Sequence, residues 1–568
     1  MDKIATLKEL IKNDVFIRFD KRNNQHPRIR NTWIFDFRMI IMEAEASDMI
    51  AEMFFEKLKD EYPFQLGTLE IAGVPLVIAL MRKFHEKGYP DVNAFFVRKS
   101  RKKTGLLKMI DGKVHENKKI ILVDDVMNTG SSFWRQIEAL DSSGFKVHGT
   151  WSILKYRDLP QYKRFTNRDI LVNSLLDLND LTDTLGDDVK NLDVPTPHSP
   201  EIVFDREWIF KGKNPALGLV FQKSQPVIDG DLLYFGTDSR DFVALNKHTG
   251  EVAWTFEVGT VKHHKSVFSN PAIYKDLVIF GSYDGNTYGL DKKTGQQKWV
   301  SMEADWVGAS PAVASDLGLV FIGLEYGLIT KMGGIVALNA ETGKPVWVDR
   351  SHTALTHCSP HYIQKTKQVV IGSNDGTVRL HDAKTGKLQW SFTTFGSSDY
   401  DLKTWVGEIG FSKGDIKESF AYDPKHDYII FGSIDSFLYI LDRKTGHLVH
   451  HFKCEFGILS TPFIHGNVVY FTSMDKRVRA IDLKTLELLF ENRLDDTRVF
   501  SSPIIIKDKL YVGTNGGRLH ELDPKTGTSL GYFQAAERIT NNVIYDQEEN
   551  AYYLPTYANE IIKLKRKD

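Results

Sequence analysis

Residues 120–133 read IILVDDVMNTGSSF, and the reading of this stretch decides the fold of the first part of the chain. Residues 120–123 are a short, unbroken apolar run, the pattern of a buried strand rather than of an alternating, half-exposed one. Asp124 and Asp125 are placed where that strand ends. Asn128, Thr129, Gly130, Ser131 and Ser132 then make a small, hydroxyl-rich turn before residues 134–140, which have helical character. A strand, a small-residue turn and a helix N-terminus together form an anion cradle, because free backbone N–H groups and the helix dipole both favour a phosphate. The two carboxylates would repel that phosphate unless they face something with donors of its own, such as sugar hydroxyls. A phosphorylated ribose meets both demands.

Working outward, 568 residues are too many for one core and suggest several domains. The 73 basic and 74 acidic residues give no global pull toward nucleic acid or an anionic membrane. Two cysteines, Cys358 and Cys454, are too few for a disulfide framework and point to a reducing compartment. The start, MDKIATLKELIKND, lacks the unbroken apolar core of a signal peptide. No run approaches the roughly 18 apolar residues of a membrane span. These features predict a soluble, cytoplasmic protein.

The 120–133 stretch resembles the phosphoribosyl pyrophosphate (PRPP) signature of type I phosphoribosyltransferases. The resemblance puts Asp124 and Asp125 on the ribose hydroxyls and Met127, Asn128, Thr129, Gly130, Ser131 and Ser132 around the 5′-phosphate. Asn128 departs from the pattern, standing where a small or hydroxylated residue is commoner. Other stretches are similar to orotate phosphoribosyltransferases in the same order. Residues 33–38, WIFDFR, look like that family's aromatic strand, where Phe35 and Phe37 either stack a flat base or pack the core. Gly73-Val74-Pro75-Leu76 resembles the pyrophosphate loop, which would place Ala72 and Gly73 against pyrophosphate. Residues 95–112, FFVRKSRKKTGLLKMIDG, carry Arg98, Lys99, Arg101, Lys102 and Lys103 in a loop that reads as a solvated charge run or as an anion clamp. Arg98, Lys99, Lys102 and Gly105 match the family's pyrophosphate-closing loop, whereas Thr104 stands where a histidine is expected and Ala72 where some members keep a lysine. Both departures weaken pyrophosphate handling. Arg157, at the end of the strand near residues 144–153, matches the arginine that recognises the base's carboxylate; the alternative is a surface ion pair. Tyr156 replaces the acid that precedes it.

Residues 176–200, acidic and ending DVPTPHSP, read as a linker. Beyond it self-similarity dominates. Lys-x-Thr-Gly-type turns recur at Thr249, Thr294, Thr342, Thr385, Thr445, Thr485 and Thr526, all followed by glycine except Thr485, which precedes Leu486. Intervals of about 40 to 60 residues suit a four-stranded propeller blade. Trp254, Trp299, Trp347 and Trp390 each follow the turn threonine by the same offset, where large rings wedge neighbouring blades together. Residues 201–210, EIVFDREWIF, read as the missing fourth strand of a C-terminal remnant, with Trp208 in the wedge position. Pairing the two closes the ring and removes two edges, giving eight blades. The repeats resemble quinoprotein-type propellers. The vicinal cysteine pair of their pyrroloquinoline quinone (PQQ) dehydrogenases is absent, so no PQQ is expected and a binding platform is the better inference. Two further contact candidates are an insertion around residues 395–418 and His263-His264, which as strand neighbours would point to opposite faces and make no metal site.

The expected architecture is therefore multidomain: an α/β type I phosphoribosyltransferase-like domain (1–175), a linker (176–200) and an all-β eight-bladed propeller (201–568) closed by the strand at 201–210. The expected function is PRPP-dependent transfer to a nucleobase-like acceptor, with Mg²⁺ carried on the substrate. Asp124, Asp125 and Lys102 would be the catalytic groups. The resemblance further implies a homodimer through the first domain, and the propeller would bind a protein or other macromolecule. The rival reading is a non-catalytic PRPP or nucleotide sensor, of use in a bacterial defence or stress system, that signals through the propeller.

Overall fold

The computed structural model describes residues 2–18, 33–70, 73–98, 109–185, 203–213, 224–259, 266–327, 331–396, 414–495 and 497–567. Ala72, Lys99, Arg101, Lys102, Lys103, Thr104, Gly105, His263 and His264 fall outside them, as does most of the 395–418 insertion. The chain divides into two compact units, Met1–Glu201 and Ile202–Asp568. Among the described residues no helix is long and apolar enough to cross a membrane.

In the first unit, helix α1 (Lys3–Leu10) precedes two short strands, β1 (Phe16–Arg18) and β2 (Trp33–Phe35), which pair antiparallel. Helices α2 (Arg38–Ile41) and α3 (Ala44–Leu58) follow, then β3 (Phe64–Leu69), α4 (Val74–Glu86), β4 (Asn93–Val97) and β5 (Ile110–Gly112). The remaining elements used below are β6 (Lys119–Met127), α5 (Ser131–Asp141), β7 (Val147–Lys155) and β8 (Leu171–Asp177). They form one sheet in the order β5-β4-β3-β6-β7-β8, parallel except for β5. Residues 120–123 are buried, as strands covered on both faces require. From β3 the chain winds one way to β4, and from β6 the other way to β7 and β8. The crevice at the carboxyl ends of β3 and β6 is therefore the topological switch point, where open α/β sheets place their ligands.

Two expectations need correction here. Strand β6 does not end at the paired acids but runs on to Met127, so Asp124 and Asp125 are strand residues. The linker does not start at residue 176: Leu176 lies in β8, and Leu178–Leu181 and Thr182–Leu185 are helical turns. Leu176, Leu178, Leu181 and Leu185 belong to the first unit's core. The acids between them, which suggested a solvated linker, form a capping box, with the Asp177 N–H donating to the Asp180 carboxylate at 2.8 Å.

The second unit is an eight-bladed propeller of four-stranded antiparallel sheets. The blades occupy residues 227–257, 272–301, 312–352, 361–393, 421–453, 463–493 and 504–534, and the eighth joins residues 544–566 to strand β9 (Phe204–Lys211). Each turn is built the same way. In blade 4 the Asp382 carboxylate accepts from the N–H groups of Lys384 and Thr385 and from the Thr385 hydroxyl, at 3.1, 2.9 and 2.8 Å. Gly386 then takes the left-handed conformation (φ 72°) that ends the turn. The preceding blade's tryptophan lies on that glycine. Trp347 Nε1 donates to the Ala383 carbonyl at 3.0 Å, and a β-carbon at Gly386 would meet the Trp347 ring at 2.6 Å. The same seating joins Trp208 to Gly250, Trp254 to Gly295, Trp299 to Gly343 and Trp390 to Gly446, and Phe490 takes the place of the indole over Gly527.

Candidate active site

Asp124 and Asp125 stand side by side near the carboxyl end of β6, the first 8% exposed and the second half-buried. Each spends one carboxylate oxygen on the next backbone N–H: Asp124 accepts from Asp125 at 3.0 Å and Asp125 from Val126 at 2.8 Å. Burial pushes the Asp125 carboxyl above the usual carboxylate range; the Val126 N–H and Asp124 oppose this, and the nearby charge of Asp36 adds to it. Asp36 is itself clasped by Arg38 through two bonds of 2.7 Å, which hold its carboxyl below the ordinary value. Sequence reading passed over this bidentate pair as a site element.

After Met127 the chain turns through Asn128, Thr129 and Gly130 into α5. Gly130 adopts φ 72° and caps α5 without a side-chain bond, leaving the first-turn N–H groups directed at the cradle. The Thr129 and Ser131 hydroxyls bond each other at 2.7 Å. Three side chains from the segment after β7 hold the loop from outside. Tyr162 donates its hydroxyl to the carbonyls of Met127 and Asn128 at 3.0 and 2.8 Å, Arg164 donates to the Thr129 carbonyl, and Phe165 packs beneath Gly130. These contacts pin the carbonyls outward, so the loop's N–H groups and hydroxyls are left for an anion. No pattern in the sequence announced this brace, because its three side chains act on backbone atoms about 35 residues away.

The residues that the sequence resemblance assigned to pyrophosphate and base end up in different places. Gly73 caps α4 where a β-carbon would lie 1.9 Å from Thr68 Oγ1 and 3.3 Å from the Val123 carbonyl, so glycine is required by close packing of β3 and β6. Arg98 is held by Asp111 at 2.6 Å and Glu70 at 3.5 Å. Phe35 is 5% exposed and ringed by Phe16, Trp33, Phe37 and Tyr156. It is a core residue, and no face of its ring is open to stack a base. Arg157 is neither a surface ion pair nor an open carboxylate clamp. It is 9% exposed, and its Nε and Nη2 both donate to Asn128 Oδ1, at 3.0 and 2.9 Å. The two departures at Asn128 and Tyr156 are thus explained together: Asn128 supplies the acceptor for the Arg157 fork, and Tyr156 joins the aromatic cluster beside Asp125.

Comparison with known proteins relates the chain to two kinds of protein. The orotate phosphoribosyltransferase of Bradyrhizobium sp. (strain BTAi1) is 34% identical over 122 residues, 21% of this chain and 65% of that protein. The orotate phosphoribosyltransferase of Lactobacillus johnsonii is 28% identical over 185 residues, 32% of this chain and 84% of that protein. The chain thus spans 65% of the length of the Bradyrhizobium relative. A family model described as outer membrane protein assembly factor BamB matches residues 122–354, 300–402 and 374–547. Among solved structures, BamB from Moraxella catarrhalis superposes with a TM-score of 0.51 at 20% identity, over 64% of this chain and all (100%) of that one. The C-terminal WD40 domain of Sif2 does so with a TM-score of 0.51 at 13% identity, over 65% and 99%. At these identities the structural likeness concerns the fold alone.

Proposed function

We propose that this chain, which belongs to the family described as outer membrane protein assembly factor BamB and is homologous to orotate phosphoribosyltransferases in its first unit, is a PRPP-dependent phosphoribosyltransferase acting on a nucleobase or related acceptor. The observation that carries the proposal is the paired Asp124 and Asp125 at the switch-point end of β6, followed at once by the braced loop and the open first turn of α5. In this reading the loop and α5 hold the 5′-phosphate. The two carboxylates accept from the ribose hydroxyls and oppose the positive charge that develops at the anomeric carbon as pyrophosphate leaves. Mg²⁺ enters with PRPP, riding on its pyrophosphate and ribose oxygens. Lys102, with Lys99, would stabilise the departing pyrophosphate, and a homodimer through the first unit would bring that loop to a neighbour's site. The propeller serves as the platform for a partner or a substrate-bearing macromolecule.

One observation favours a second reading, a sensor that binds PRPP without turnover: the family's base-recognising positions, Phe35 and Arg157, are consumed by internal contacts. Mixing the full chain with PRPP, Mg²⁺ and each common base separates the two. Pyrophosphate release that depends on one base supports the transferase. Tight PRPP binding with no release from any base supports the sensor, and no PRPP binding overturns both.

A further inference from the structure

The first strands of successive blades adjoin around the propeller axis, and a short segment precedes each. The residue just before each first strand's proline, or its counterpart, links one blade to the next. The Gln225 N–H donates to Asn270 Oδ1 at 2.7 Å, Asn270 to Ser310 Oγ at 2.9 Å and Ser310 to Ser359 Oγ at 2.9 Å. Further round, Ser419 donates to Thr461 Oγ1 at 3.2 Å and Thr461 to Ser502 Oγ at 2.8 Å. The residue one position earlier is turned into its own blade. There Ser224, Ser269, Ser460 and Ser501 each accept from a second-strand N–H at 2.8 to 3.2 Å. In blade 5 that position is Glu418, a longer side chain with an ionisable carboxyl that the other blades lack.

A cavity of about 300 Å³ opens at this ring, and Glu418 is in its wall. Phe268, Tyr283 and Phe500 supply aromatic surface, and His357 and Lys417 are the other ionisable groups lining it. Both of those have a carboxylate at hand. His357 Nδ1 lies 3.1 Å from the buried Glu325 and 3.3 Å from the Tyr283 hydroxyl, and Lys417 Nζ lies 3.0 Å from Asp415. The Glu418 carboxyl, in contrast, makes no hydrogen bond or ion pair among the described residues; only its backbone carbonyl is engaged, by the thiol of Cys358. Burial pushes that carboxyl up to about 8, with Lys417 pulling the other way. It stays neutral near pH 7 until something cationic meets it. A half-buried carboxyl with no partner among the described residues, in a cavity also lined by three aromatic rings, is the chemistry that selects an ammonium or guanidinium group, through a charge-assisted hydrogen bond and cation–π contact.

We propose that the cavity at the propeller's inner ring binds a small organic cation, its ammonium or guanidinium group on the Glu418 carboxylate and its body against Phe268, Tyr283 and Phe500. The site is separate from the PRPP cradle and stands or falls without it. An anion is disfavoured because the basic side chains in the wall, His357 and Lys417, already face Glu325 and Asp415, and an apolar guest would leave the carboxyl unsatisfied.

Calorimetry on the full chain with tyramine, agmatine and putrescine tests this, with 4-hydroxyphenylacetate as the oppositely charged partner of tyramine. A capped arginine tripeptide tells a protein-borne cation from a free one, and its binding would equally support the site. Glu418 must ionise to bind, so affinity should rise more than tenfold from pH 6 to pH 9, with a proton released at pH 7. The groups facing Glu418 that could blur this slope are Lys417 and Asp415 on its own segment, Cys358 from blade 4, and Tyr283, His357 and Glu325 across the cavity. Glu418→Gln mimics the neutral carboxyl that dominates at pH 7, so it should fold as wild type and bind the amines at least tenfold more weakly. Phe500→Leu should weaken tyramine more than putrescine. Millimolar or weaker binding of every cation, equal binding by Glu418→Gln, or preference for 4-hydroxyphenylacetate over tyramine would overturn the proposal.

Discussion

Asn128 accepts from two nitrogens of the Arg157 guanidinium, Nε and Nη2, and this ties Arg157 to the loop after β6. An arginine so engaged shapes the loop after β6, and on the proposed reading it acts on PRPP through that loop rather than on an acceptor base. Arg157→Lys replaces a planar fork by a point charge, losing about one hydrogen bond's worth of positioning, roughly 1–1.5 kcal/mol. PRPP affinity should therefore fall about five- to tenfold while the acceptor KM in steady-state assays stays put. A raised acceptor KM with unchanged PRPP affinity would return Arg157 to the base. Asp125 offers a second test at this scale. Its carboxyl is raised by burial, so the folded state holds its proton more tightly than the unfolded chain, and the stability this gives is lost as pH rises out of the ordinary carboxylate range through the raised value. Asp125→Asn removes the charge and keeps an oxygen for the Val126 N–H. In thermal melts it should be more stable than wild type at pH 8, with a smaller difference at pH 4. PRPP binding by the same variant should weaken about 10- to 100-fold, as expected for lost hydrogen bonds to a charged group. The buried strand, its adjacent acids and the turn into α5 were legible in the sequence because they are contiguous. The Tyr162, Arg164 and Phe165 brace was not, since its partners are backbone atoms that only the fold brings near. The fates of Phe35 and Arg157 were left open for the same reason.

The repeating turn and its wedge are the elements on which sequence reading worked best, because each half of the contact has a fixed local signature. An Asx turn needs Asp or Asn followed by Thr, its last residue needs a positive φ, and the indole falls at a fixed offset from it. The exception is equally physical. In blade 5 the wedge position is His450, and the next turn carries Leu486 at φ 61° where the others have glycine. With no indole to lie on the turn, a side chain is sterically allowed, and Leu486 packs against the neighbouring core. Where an indole is present the contact should behave as a coupled pair. Trp347→Ala should cost about 2–4 kcal/mol, at or below the range for large aromatic deletions because the ring is only partly buried. Gly386→Ala should cost the left-handed penalty of roughly 1–2 kcal/mol plus the clash with Trp347. In the Trp347→Ala background the clash disappears, so a double-mutant cycle by urea denaturation should show a coupling of at least ~0.5 kcal/mol. Additivity would mean that the ring and the turn do not touch in solution. Short first strands such as Ala272–Tyr274 have too few residues to carry a periodicity, which is why the sequence marked the blades without marking every strand.

At the scale of the whole molecule, the propeller's integrity rests on β9, the strand that opens the second unit in sequence. Strand β9 pairs antiparallel with Glu560–Arg566. Its side chains serve both neighbouring blades. Phe204 is buried against Tyr511 and Tyr552, while Phe210 meets Phe235 and Trp208 Nε1 donates to the His248 carbonyl at 3.0 Å. The same seam holds Lys247, 1% exposed, between Asp546 and Glu548 at 2.8 Å each. This closure was legible because residues 201–210 carry a wedge tryptophan with no blade of their own. The first unit's true end was not, since four leucines spaced among acids look like solvated sequence until a core receives them. Among the described residues the core clusters of the two units share no member, so residues 1–201 and 202–568 should each fold when expressed apart, the first retaining PRPP affinity. A propeller that starts at residue 214 instead loses Phe204, Trp208 and Phe210 and bares the strand edge of Glu560–Arg566. At ~3–5 kcal/mol for the buried Phe204 and less for the half-buried Trp208 and Phe210, that loss is a large share of the entire stability of a typical domain, about 5–15 kcal/mol. Residues 214–568 should therefore melt more than about 10 °C below residues 202–568 or aggregate through the open edge, and a peptide of residues 203–213 added in trans should raise the melting temperature again. Equal melting of the two propellers would show that blade 8 holds with three strands and that closure by β9 is dispensable.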